Sequence, residues 1–174
     1  MIRILPVVLF ALAAGCAGRA AEPATVAATR TASMLDSAGT AVGSASLLES
    51  RRGPLLVLKL QGISPGTHGL HVHAAGSCEK PRFESAGAHL NPTNRKHGAR
   101  NPAGPHAGDL PNVRARADGT VDTTLTLSGD LLAPAALGTG APARALVLHA
   151  KADDLMTDPS GNSGDRIVCG VLGK

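Results

Sequence analysis

The sequence predicts an all-β domain, a sandwich or barrel of about eight short antiparallel strands with two long functional loops. Three observations predict it. From Thr31 onward, apolar residues recur with a period of two rather than 3.6. Turn formers are dense, with 21 Gly and 12 Pro among 174 residues, which suits many short strands better than a helical bundle. Aromatic side chains are nearly absent, with two Phe and no Trp or Tyr. A core must then come from Leu, Val, Ile and Ala, helped by covalent or metal cross-links. The length fits a single domain with appendages.

The chain opens on MIRILPVVLFALAAGC, with one positive charge at Arg3, an apolar run from Ile4 to Ala14, and small residues before Cys16. This is the layout of a secretory signal peptide over residues 1–15, too short to span a bilayer. Small residues directly before a cysteine resemble the bacterial lipoprotein processing site, which implies cleavage before Cys16 and a lipid anchor on it. Ala13 departs from that motif, which usually has Leu there. Residues 16–29 are small, Ala-rich and nearly patternless, as a tether would be. The domain is expected over residues 30–174.

Within it, Thr31–Leu35, Ala41–Leu48 and Leu55–Leu60 read as strands, with Asp36-Ser37-Ala38-Gly39 and Arg52-Gly53-Pro54 as turns. Val113–Ala117, Ala145–Ala150 and Arg166–Leu172 are further short strands. From Val121 to Leu127 the residues alternate, with Val121, Thr123, Leu125 and Leu127 on one face. Asp118-Gly119 just before is a hairpin signal. Two stretches break the pattern, Ala74–Leu110 and Lys151–Asp165, and loops that long in a compact domain are usually functional or disordered.

Function is the better reading of the first stretch. Six of the seven histidines lie between Thr67 and Asp109, with Cys78 among them. His71 and His73 are two apart, so on a strand both imidazoles face the same way and can reach one metal ion. His149 ends a second apolar strand and could supply a third nitrogen. Such pairs also occur by chance on solvated strands. His89, His97, His106 and Asp109 follow at spacings of 8, 9 and 3. Three imidazoles and a carboxylate make a complete tetrahedral zinc set, and a closed site is structural, here ordering a Gly- and Pro-rich loop.

At this point GLHVH (69–73), SAGAHLNP (85–92), KHG (96–98), GPHAGDLPN (104–112), LVLHAKADDL (146–155) and GNSGDRIVCGV (161–171) together resemble copper/zinc superoxide dismutase, most closely its bacterial exported form. The resemblance covers about residues 30–174 and the motifs come in family order. It implies a Greek-key sandwich or flattened barrel. Copper would be held by His71, His73, His89 and His149, and zinc by His89, His97, His106 and Asp109, with His89 bridging the two. Four imidazoles suit copper(II). Asp153 would accept hydrogen bonds from His71 and His97, and His68 would be structural. Arg166 would be the cation that attracts and orients superoxide. Asp165 beside it, and Lys151 as the only basic residue of the second loop, make long-range steering doubtful. Cys78 and Cys169 would form a disulfide, reasonable in an exported protein. Leu70 and Leu90 stand where the family commonly has Phe, which touches packing rather than catalysis.

The implied reaction is disproportionation of superoxide to dioxygen and hydrogen peroxide by alternating copper valence, with His89 carrying a proton on alternate turnovers. It would protect the cell envelope from the periplasm, and Ala17 after Cys16 mildly favours tethering to the outer membrane. A monomer and a homodimer are both open, since no interface patch stands out. The rivals are a non-catalytic copper/zinc binding or delivery module and, more weakly, a zinc hydrolase, which needs an open water site and a general base. A formal charge of +4 with scattered Lys and Arg, and no aromatic platform, argues against nucleic acid.

Overall fold

The computed structural model describes residues 28–50, 53–127, 131 and 142–173. The signal segment, Cys16 and the tether up to residue 27 lie outside the described residues. Nine strands appear among the described residues: β1 (Ala28–Asp36), β2 (Ala41–Leu48), β3 (Leu55–Leu60), β4 (Gly66–His68), β5 (Leu70–His73), β6 (Val113–Ala115), β7 (Val121–Thr126), β8 (Arg144–His149) and β9 (Arg166–Leu172). Seven form one antiparallel sheet in the order β5-β8-β9-β1-β2-β3-β7, curled into a half-barrel, and β4 pairs with β6 apart from it. The first and last strands are neighbours, so β9 carries its residues back to the middle of the sheet.

Period-two burial builds this sheet. Leu56, Leu58 and Leu60 of β3 point inward with Ala45 and Leu47 of β2, while Lys59 faces solvent. Val121 and Leu127 are buried and Leu125 packs against the same core, so the face expected on β7 forms. Each fully buried Leu or Val contributes roughly 1.5–3 kcal/mol. Leu70 and Leu90 lie in this core, so their difference from the family is one of packing. In the turn between β1 and β2, Asp36 Oδ1 accepts the backbone N–H groups of Ala38 and Thr40 at 3.0 and 2.8 Å.

Strand β8 is buried from Ala145 to His149 because both faces are covered. Leu146 and Leu148 point into the main core. Ala145 and Val147 point the other way, into a small cluster with Phe83, Ala86 and Cys169, against which Cys78 packs. Cys78 and Cys169 are joined in a disulfide with Cα atoms 5.8 Å apart.

Two details differ from expectation. β4 is an added strand; its three residues carry too little alternation to read, and pairing with β6 alone defines it. The turn at Asp118-Gly119 forms, closed by Arg116 N–H on Thr120 O at 2.9 Å, but β6 and β7 share no ladder. They join different sheets, so the hairpin signal marks a crossing between sheets.

Candidate metal centre

The centre is built on the free edge of β5, the last strand of the large sheet. Two passes of the first long loop close against that edge. Leu90 N–H donates to Val72 O at 2.8 Å, Val72 N–H to Gly108 O at 2.9 Å, and Gly108 N–H to Leu90 O at 2.8 Å. Isolated bridges place His89 opposite His73 and Asp109 opposite His71. Gly108 must be glycine for this, since a Cβ there would lie 2.2 Å from Val72 O. On the other side β8 pairs with β5, His71 opposite Val147, which sets His149 diagonally beyond it on the same face.

Residues from three parts of the chain thus converge. His71, His73, His89 and His149 are buried, and their candidate ligand atoms lie within 4.8 Å of one another. Their ring protons can be assigned from their partners. His73 Nδ1–H donates to Gly87 O at 2.9 Å and His149 Nδ1–H to Gly164 O at 3.0 Å. A carbonyl only accepts, so in each neutral ring the proton sits on Nδ1 and Nε2 keeps its lone pair. His71 Nε2–H donates to Asp153 Oδ2 at 2.8 Å, leaving Nδ1 with the lone pair. His71 Nδ1, His73 Nε2 and His149 Nε2 are all buried without a hydrogen-bond partner. Buried polar atoms are normally paired, and three bare lone pairs facing one point fit a cation.

Charge supports the same fit. Burial pushes the His73 imidazole down to about 2, His149 to about 3 and His89 to about 4. These rings are neutral at pH 7 and their lone pairs available.

Beside this group, His89 Nδ1, His97 Nδ1 and His106 Nδ1 approach Asp109 Oδ1 at 2.9, 3.0 and 3.2 Å. Asp109 Oδ2 is held by the N–H groups of Gly98 and His106 at 2.8 and 3.0 Å. Burial pushes the Asp109 carboxyl up, but hydrogen bonds from His89 and Gly98 outweigh it, so it is a carboxylate. His97 Nδ1 is close to Oδ1 yet makes no hydrogen bond, because its proton is on Nε2. By proximity alone His71 joins His89, His97 and Asp109 in a second group in place of His106. The donor geometry favours His106, since the bare nitrogen of His71 belongs to the first group while His106 aims at the same Asp109 oxygen as the others. Three imidazoles and one carboxylate then fit a four-coordinate ion.

Asp153 joins the two groups. One oxygen takes His71 Nε2–H and the other takes His97 Nε2–H at 3.0 Å and Leu155 N–H at 2.6 Å. Burial pushes this carboxyl up and the hydrogen bonds from His71 and His97 pull it below its usual range. Outer carboxylates of this kind fix the ring orientation of metal-binding histidines. Asn112 holds the Asp153 backbone from both sides, donating to its carbonyl and accepting its N–H, each at 2.8 Å. Gly161, at φ +61°, covers the bridge so tightly that a Cβ would fall 1.7 Å from Asp153 Oδ1. Asp158 Oδ1 accepts His97 N–H at 2.5 Å, and Asp154 caps the turn through Met156 and Thr157 N–H. His68 stands apart, its two ring nitrogens each 2.8 Å from the carbonyls of His149 and Ser64.

A cavity of about 570 Å³ opens over the first group, lined among others by His73, His89, His149 and Arg166. Arg166 donates from Nη1 to Phe83 O and from Nη2 to Gly87 O, both at 2.7 Å. The Gly87 carbonyl therefore serves His73 and Arg166 together. Sequence reasoning missed Gly87, Gly164, Asn112 and Gly161. The glycines act through backbone atoms or missing ones, and only Asn112 left a side-chain signal, inside a motif quoted for its neighbours.

With this geometry in view, comparison with known proteins gives one answer. The family model for copper/zinc superoxide dismutase matches residues 41–172. A superoxide dismutase-like protein of Bacillus subtilis is 43% identical over 138 residues, covering 77% of this chain and 70% of its own. A copper-zinc superoxide dismutase of Aquifex aeolicus is 38% identical over 148 residues, 81% of this chain and 84% of its own. The crystal structure of the Bacillus protein superposes with a TM-score of 0.74 at 39% identity, covering 84% of this chain and 99% of that one. The copper/zinc superoxide dismutase of Brucella abortus gives 0.67 at 31% identity, with 82% and 97% covered. Fold, disulfide and histidine arrangement agree with this match across most of the domain, and the chain belongs to the copper/zinc superoxide dismutase family.

Proposed function

We propose that this protein disproportionates superoxide, two superoxide anions and two protons giving dioxygen and hydrogen peroxide. The observation that carries the reading is the trio of bare, buried lone pairs on His71, His73 and His149, completed by His89, beside a cation that lines the same cavity. His71, His73, His89 and His149 would hold copper, and His89, His97, His106 and Asp109 zinc. A bound copper ion supplies one-electron exchange, oxidising one superoxide and reducing the next, while zinc supplies structure.

The chain's own residues do the rest. Arg166 is half-buried, its guanidinium fixed by two carbonyls at the cavity wall, and a fixed cation there attracts and orients a small anion. Glu84 lines the same cavity, so the pull of Arg166 is local. His89 is held at Nδ1 by Asp109 and lines the cavity, which suits it to hold a proton on Nε2 in one half of the cycle and give it up in the other. His71 and His97 do not line the cavity and are fully buried.

The name of the Bacillus relative, superoxide dismutase-like, keeps a second reading in view, a copper/zinc binding or delivery module without turnover. That reading gives the arginine no role, whereas turnover of an anion is helped by it. Residues 1–15 as an export signal, a lipid on Cys16, a periplasmic location with tethering to the outer membrane, and protection of the envelope complete the proposal on the sequence evidence given above.

Metal analysis coupled to a superoxide assay, with and without copper, decides between them. The mature domain should bind about one copper and one zinc, lose activity without copper, and slow on Arg166→Ala with a flatter salt dependence. Activity with zinc alone would remove copper from the mechanism, and a copper-loaded but inactive domain would favour the binding module. An unmodified Cys16 in the native protein's mass spectrum would contradict the anchor.

A further inference from the structure

Arg166 does not fix itself. Among the described hydrogen bonds its guanidinium is held by the carbonyls of Phe83 and Gly87, and Phe83 is an unusual residue to find there. It is one of two phenylalanines in the chain and heads the fully buried side chains by volume, at 0% exposure. Its backbone is left-handed, at φ 54° and ψ 27°, a conformation that bulky residues rarely adopt. Such a residue persists only where its surroundings hold it, and here they do. The ring is locked among Ala86, Ala145, Val147 and Cys169, against the disulfide. Phe83 N–H donates to Glu79 O at 2.9 Å, and Phe83 O also accepts Ala86 N–H at 3.2 Å.

We propose that Phe83 is a positioning residue for Arg166: its buried ring pins a left-handed turn whose carbonyl aims the guanidinium at the cavity. The ring is held by apolar residues and the disulfide, and the Phe83 carbonyl meets the guanidinium of Arg166 directly. This role of Phe83 rests on the reading of Arg166 as the anion-orienting cation. Truncating the ring would leave a void beside the disulfide and let the turn relax toward common backbone angles, swinging the carbonyl away. The guanidinium would then keep its charge and lose its aim.

The test uses the copper- and zinc-loaded domain and azide as a small-anion probe. Phe83→Ala should retain both metals and the disulfide, yet weaken azide binding and slow dismutation about tenfold, the scale of loss for a misplaced group beside a reacting centre. In an Arg166→Ala background the same change should alter neither by more than about twofold, because the two residues act as one unit. Phe83→Leu, which refills most of the volume, should recover all but about threefold. In the metal-free domain, slow exchange of the Arg166 side-chain N–H protons should be lost in Phe83→Ala. Unchanged azide affinity, equal losses with and without Arg166, or loss of metal from both variants would overturn the proposal. Should Phe83→Ala not fold, the threefold effect of Phe83→Leu and its disappearance without Arg166 carry the test. If the loaded wild type were inactive toward superoxide, the proposed function would fall, while the azide measurement would still decide the role of Phe83.

Discussion

Strands and loops deliver donors to this centre in different ways. His71, His73 and His149 ride on β5 and β8, where the ladder fixes their backbone before any ion is present. His97, His106 and Asp109 ride on a loop outside the named strands, docked on the edge of β5 by a few backbone hydrogen bonds and otherwise held by side chains. The strand set presents bare lone pairs, while the loop set, with His89, gathers three ring nitrogens around one carboxylate oxygen. A preorganised set suits an ion that must change state without rearranging its ligands. A set that closes around its ion suits structural use, where binding and ordering the loop are one event. His89 sits where they meet, its ring 4.0 Å from that of His71 and its Nδ1 on Asp109.

The sharpest break of this division is His71→Ala. It should abolish dismutation and empty the copper site while about one zinc per chain remains by metal analysis. Loss of both ions would show that the two regions are not separable. Next comes Asp153→Ala, which removes the acceptor of both His71 and His97. Affinity for both metals should fall about 10- to 100-fold in chelator competition, the usual cost of losing an outer carboxylate. A fall at one site alone would mean the bridge is not shared.

Gly161→Ala should act more gently on the same bridge. Its methyl group would collide with Asp153 Oδ1, in a left-handed position that alanine also resists. Denaturant unfolding of the metal-free domain should show a loss of about 2–3 kcal/mol. An unchanged midpoint would mean that the second loop moves freely aside.

Acid should then separate His73, His89 and His149 from ordinary histidines. The folded-state values of His73, His89 and His149 are depressed below 6.5 by burial. Between 6.5 and about 4 the unfolded chain binds more protons than the folded one, so the metal-free domain loses stability as pH falls through that window. The depressed carboxyls of Asp109 and Asp153 extend the loss below 3.8 in the same direction. Unfolding midpoints that stay flat from pH 7 to about pH 4 would contradict the buried, neutral rings.

Much of the fold was legible. β2, β3 and β9 run over the residues read as strands, β2 and β3 with one face against the core and β9 with Val168 in the main core and Cys169 in the second cluster. β4 was not, for want of length. The pairing of β9 with β1 was not either, since neither segment carries a mark of its partner.

The candidate centre divides along the same line. The sequence by itself determined the donor types and which of them share a strand, because alternation of side chains along β structure is a local rule. Spacings of 8 and 9 along a loop obey no such rule, so the meeting of His89, His97 and His106 on Asp109 is a product of the loop closing on the edge of β5. Only the tertiary structure decided which nitrogen of each ring faces the centre. That choice depends on the acceptor behind the ring: the carbonyls of Gly87 and Gly164, and Asp153 from 82 residues away. Backbone carbonyls are the same in every residue, and a string of side chains cannot show where one will point.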